Sequence, residues 1–188
     1  LAHIIQHNHL DRKRCPGSLF IIVVHSSEIR HWLAELAKWL PLATFDDAVF
    51  VLHTDYAQRC QLMADVRDAS VGGHSVFVIA TYETVLADRK NRTLIDLVEK
   101  CGKTFDCVVV DEGSVPAGSK IPLYTYLSSI KTQQRLLLTS VPISNVIPDL
   151  FAFMNVLLPK AFDNAKKFVD LIQLIFFSNS LLDLCINR

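Results

Sequence analysis

Short apolar runs alternate with longer stretches of helical spacing along most of this chain. The first run, Leu19 to Val24, has no polar position, and further runs follow at Ala48 to Leu52, Ser75 to Ala80, Cys107 to Val110 and Arg135 to Thr139. Runs of this length without alternation read as strands buried on both faces of a parallel sheet. Between them the apolar period changes to that of a helix. Ile29, Trp32, Leu33, Leu36, Ala37 and Leu40 share one face, with Ser26 or Ser27 as the N-cap and Pro41 as the stop. Trp32 and Trp39, seven apart, read as core packing on that face. A weaker helical pattern spans 55–69 and closes at Gly72 and Gly73. Arg89 to Arg92 form a basic break before Leu94, Ile95, Leu97 and Val98 resume helical spacing. A short helix is predicted over 122–130, and another with Ile147, Leu150, Phe151, Met154 and Leu157 inward, ended by Leu158 and Pro159. Strand and helix in strict alternation predict an α/β fold, a mainly parallel central sheet with helices on both faces.

Composition adds limits. With 188 residues, one domain with a real core is expected. Lys plus Arg and Asp plus Glu number 19 each, so no net charge draws the chain to nucleic acid, and DNA contact has to be local. Arg12 to Arg14 and Arg89 to Arg92 are the basic clusters available for it, although such clusters commonly only face water. Five scattered cysteines without a C-x-x-C pair argue against a disulfide scaffold or zinc site, and His7 with His9 is too few ligands for a metal. The apolar tail around Leu171 to Phe177 is too short and interrupted to span a bilayer. The chain starts at Leu1 with no signal-peptide pattern and reads as a piece of a longer polypeptide.

Chemistry concentrates after the fourth run, where Cys107 to Val110 leads into Asp111, Glu112 and Gly113. Parallel strands deliver polar residues at their carboxyl ends, where α/β sheets bind ligands. Paired carboxylates there are what nucleotide hydrolysis uses, one toward magnesium and one toward a water. A solvated acidic turn is the plain alternative. Gly102-Lys-Thr104 imitates the end of a phosphate-binding loop, but Leu97 stands where that loop needs glycine, and the tripeptide precedes a strand. It reads as a helix C-cap. No other stretch carries a phosphate-binding loop.

Taken together, these segments resemble the SWI/SNF-type ATPase family. Leu19 to Pro41, with Ser26, Trp32 and Lys38-Trp39, is similar to motif Ia; Val76 to Glu83 resembles the Thr-Tyr-Glu segment. Val108 to Gly113 resembles motif II, Arg135 to Asn145 motif III, and Leu150 to Phe162 the closing signature of the first lobe. The resemblance implies a RecA-like three-layer sandwich, the first lobe of a double-stranded-DNA translocase. It divides the chain into that lobe over 1–162 and a helical extension over 163–188 toward a second lobe. It puts a phosphate loop upstream of Leu1 and the second lobe beyond Arg188. It gives Asp111 magnesium through water, and Glu112 the attacking water. Ser26, Ser27, Thr81 and Tyr82 would lie along the DNA backbone, and Thr139, Ser140, Val141 and Pro142 would couple nucleotide state to the second lobe. ATP and magnesium are implied for an active parent protein, with none expected on this chain alone. The implied partners are double-stranded DNA or a nucleosome and the subunits of a nuclear complex, with no membrane.

The sequence also departs from the family. Ser114 stands in place of histidine after motif II, and Val115 to Gly118 replaces a basic segment. Motif III reads Thr139-Ser-Val-Pro142 where Thr-Gly-Thr-Pro is usual, which removes a flexible glycine and a hydroxyl. Two readings therefore stand: half of a working motor, or a degenerate lobe kept as an interaction module. A third is an unrelated α/β domain with chance matches.

Overall fold

The computed structural model describes residues 18–40, 45–71, 75–101, 104–111, 120–139 and 147–173. Five strands, β1 (Leu19–Val24), β2 (Val49–Val51), β3 (Val76–Thr81), β4 (Phe105–Asp111) and β5 (Thr132–Leu138), form one sheet in the order β2-β3-β1-β4-β5. Every pairing in it is parallel. The helices are α1 (Ile29–Trp39), the single turn α2 (Phe45–Ala48), α3 (Tyr56–Val71), α4 (Tyr82–Asn91), α5 (Thr93–Cys101), α6 (Lys120–Ser129) and α7 (Ile147–Leu157). A further helical stretch, α8, covers 165–173.

β1 lies at the centre, and all six of its residues are buried. The two-residue period of a strand sorts them. Leu19, Ile21 and Val23 join the larger core, covered by side chains of α3 to α7. Phe20, Ile22 and Val24 join the smaller one, where Trp32 and Leu36 of α1 meet Phe77, Ile79, Cys107 and Val109. Phe20 and Phe77 stack there with ring centroids 4.8 Å apart. The result is the three-layer arrangement predicted from the alternation, with the sheet wholly parallel.

Where boundaries moved, tertiary pairing is the cause. β5 begins at Thr132, three residues before the apolar run, because Phe105 pairs with Thr132 and Cys107 with Gln134. Gln133 and Gln134 remain exposed, which an edge strand permits. The basic stretch at 89–92 is the last turn of α4, and the break falls on Arg92 alone, in the left-handed region at φ 55°. Neither serine caps α1. A 3-10 turn, Ser26–Glu28, intervenes, and His25 caps it by accepting from the Ser27 amide at 3.3 Å. Trp32 is buried, but Trp39 is 42% exposed. At seven residues the two positions drift about 20° apart around a straight helix, and Trp39 sits at its last residue. Among the described side chains of α7 the buried ones are Ala152, Phe153 and Val156, one step away from the predicted face. The helix is apolar almost all round, so its packing against α6 and β5 chooses the face. The proposed cap at Gly102, His7, His9 and the loop after Gly113 lie outside the described residues.

Candidate functional site

Parallel strands of matched register end level with one another, so this sheet has one carboxyl edge. Val24 pairs with Thr81, Val23 with Val110, and Asp111 with Leu138. The chain leaves that edge at His25 to Ser27, at Thr81 and Tyr82, after Asp111, and at Thr139. Four segments far apart in sequence are thus neighbours. Asp111, Ser26, Ser27, Thr81, Tyr82 and Thr139 all belong to this edge, whereas Glu112, Ser140, Val141 and Pro142 lie outside the described residues.

Asp111 is half-buried and ends an inner strand. Its carboxylate Oδ2 accepts a 2.9 Å hydrogen bond from Trp32 Nε1 on α1. Its main-chain carbonyl accepts from the Tyr82 hydroxyl on α4. The residue is therefore held from both layers. Tyr82 is 1% exposed, so the residue offers almost no surface for the DNA contact expected of it. Ser26 and Ser27 are exposed; the Ser27 hydroxyl donates to Glu28 Oε1 at 3.1 Å and lies 2.9 Å from His25 Nδ1. His25 and Tyr82 rings are 6.4 Å apart, which brings the first two turns together. Thr81 is the N-cap of α4, its Oγ1 accepting from the Thr84 amide at 3.2 Å. Thr139 is exposed at the end of β5.

Sequence reading missed two partners of Asp111, one on its carboxylate and one on its main-chain carbonyl. Trp32 reads as core packing because a tryptophan on an apolar face gives no hint of where its N–H points. Tyr82 reads as a surface motif residue, yet the step from β3 into α4 buries it. Arg135 donates to the carbonyls of Ser128 at 3.2 Å and Ile130 at 2.7 Å. Burial pushes its pKa down, as expected for a cation held by neutral oxygens.

A profile of the SNF2-related domain matches residues 3–181. The chain belongs to the SNF2-related family. The ISWI chromatin-remodeling complex ATPase of Saccharomyces cerevisiae is 27% identical over 158 residues, 84% of this chain and 13% of that protein. Protein CHROMATIN REMODELING 5 of Arabidopsis thaliana is 30% identical over 160 residues, 84% of this chain and 9% of that protein. The chain thus spans about a tenth of these relatives. Among solved structures, the SWI2/SNF2 ATPase core of Sulfolobus solfataricus superposes with a TM-score of 0.60 at 18% identity, over 88% of this chain and 29% of that one. The same core in complex with double-stranded DNA gives 0.58 at 21% identity, over 88% and 30%. The SNF2-related chain therefore has the RecA-like fold of that core.

Magnesium bound with a nucleotide takes one or two protein carboxylates and fills its other positions with phosphate oxygens and water. A single half-buried aspartate on the carboxyl edge of this SNF2-related lobe fits that donor set. Among the described residues no group of three or more His, Cys, Asp or Glu side chains forms a protein cage for a metal.

Proposed function

We propose that this chain is the first RecA-like lobe of an ATP-driven translocase acting on double-stranded DNA or nucleosomes within a nuclear chromatin-remodelling or DNA-repair assembly. The lobe hydrolyses nothing by itself; turnover requires a phosphate-binding loop and a second lobe. Asp111 holds magnesium through water, and Glu112 orients the attacking water. Ser26, Ser27 and Thr81 follow the DNA backbone, with the buried Tyr82 beneath them. Thr139, Ser140, Val141 and Pro142 pass the nucleotide state to the second lobe. The observation that carries this reading is the position of Asp111. It ends an inner parallel strand, level with the 25–27 and 81–82 turns and beside the end of β5. An SNF2 core of the same fold in complex with double-stranded DNA supports the DNA-facing part.

A second reading rests on Ser114, Ser140 and Val141. These residues remove polar handles from the family's coupling segments and suit a lobe kept as an interaction module. The two readings part in one experiment, ATP binding and DNA-stimulated hydrolysis by the full-length protein and its Glu112→Gln variant. A motor loses its hydrolysis by at least roughly 100-fold in the variant, the usual weight of a general base, while still binding ATP. Absence of nucleotide binding in the unaltered protein overturns the motor and leaves the module.

A further inference from the structure

The contact between Trp32 and Asp111 goes beyond packing. Trp32 is 8% exposed and belongs to the smaller core, yet its indole Nε1 lies 2.9 Å from the carboxylate Oδ2. An indole N–H only donates, and an ionised carboxylate only accepts, so this pair has one possible sense. A hydrogen bond to a charged acceptor is also stronger than a neutral one. The strand period explains how they meet. Cys107 and Val109 face α1, and Asp111, two residues further, continues that row. From the opposite layer the Tyr82 hydroxyl holds the carbonyl of the same residue. Backbone and side chain of Asp111 are thus fixed independently.

We propose that Trp32 is a positioning residue for Asp111. Its N–H holds Oδ2 and stops rotation of the carboxylate, which would leave Oδ1 to accept from a magnesium-bound water. The inference rests on the reading of Asp111 as the magnesium carboxylate, and it deepens that reading by naming what orients the group. Outer partners of a ligating carboxylate govern metal affinity in this way.

The test uses the full-length protein labelled with 5-fluorotryptophan, the Trp32 fluorine signal being assigned from the W32F variant. The probe is Mn2+ with ADP. Asp111→Asn is expected to shift the Trp32 signal and leave that of Trp39 in place. Mn2+ with ADP is expected to broaden Trp32 far more than Trp39. Replacing Trp32 with benzothienylalanine keeps the shape and removes only the N–H. It should weaken Mn2+·ADP binding by about tenfold, the lower end for outer-partner loss. W32F opens space in the core and serves only for assignment. A Trp32 signal indifferent to Asp111→Asn overturns the proposal, and so does benzothienylalanine protein that binds Mn2+·ADP like the unaltered one. If Mn2+ with ADP fails to broaden Trp32 in the unaltered protein, the magnesium reading of Asp111 falls. The metal part of the proposal falls with it, while the fluorine response to Asp111→Asn still decides whether Trp32 orients the carboxylate.

Discussion

Arg59 and Asp88 are 1% and 0% exposed, an ion pair in the larger core with Nε and Oδ1 3.1 Å apart. Neither stands alone. Arg59 also donates to Thr93 Oγ1 at 3.2 Å and to the carbonyls of His53 and Thr54 at 3.2 and 2.8 Å. Asp88 accepts from the Thr93 and Leu94 amides at 3.1 and 3.0 Å and from the Tyr126 hydroxyl at 2.6 Å. It caps α5 from the preceding helix while tying α3 and α6 to it. A buried charge so fully paired is tolerable, but removing one member leaves the other desolvated and alone. Asp88→Ala should therefore cost about 3–5 kcal/mol in urea unfolding, as measured for broken buried pairs. A loss below about 1 kcal/mol would mean that water reaches Arg59.

Elements show the same division between local pattern and tertiary context. α1 has a clean amphipathic pattern. α3 has a weak one because the face it buries, Arg59, Met63, Val66 and Ser70, is half polar. The step from β3 to α4 is a separate case. Thr81 ends a strand, caps a helix and lies on the candidate DNA-facing edge, so stability and function overlap at one residue. Thr81→Ala should destabilise the fold by about 1 kcal/mol, the usual worth of a cap. Thr81→Ser keeps the accepting oxygen and should recover most of it. Denaturant midpoints for the pair measure the cap; if serine is no better than alanine, the cap does not carry the loss.

On the scale of the whole molecule, alkaline pH is the test. Burial first, then the hydrogen bond to Asp88 and its charge, push the Tyr126 pKa up from its ordinary value. Burial likewise raises that of the Cys107 thiol. Both groups stay protonated in the fold and ionise in the unfolded chain, near pH 10 and 8.5 respectively. Their contribution is fully present below those values. Above them the unfolded chain binds fewer protons, so stability falls as pH rises. The urea midpoint should decline from about pH 8.5 upward, and Tyr126→Phe should flatten the part above about pH 10. An unchanged alkaline slope in that variant would show that another group sets it.

The sequence by itself determined the order and type of the elements. An uninterrupted apolar run such as Leu19 to Val24 has no stable place except inside a sheet, and the helical spacing of Ile29 to Leu40 has one face to bury. It also marked Asp111 as the residue to watch, since a carboxylate directly after a buried strand must emerge at that strand's end. Only the tertiary structure decided what surrounds it. Strand order brought the 25–27, 81–82 and 139 segments to one edge, although Asp111 lies 87 positions after Val24. Three-dimensional packing made Trp32 a partner of the Asp111 carboxylate and Tyr82 a partner of its main-chain carbonyl, and it buried Arg59 and Asp88 in stretches that look solvated. Periodicity records which face of an element is apolar. It does not record which distant donor meets which acceptor, because that depends on a register fixed only when the layers close.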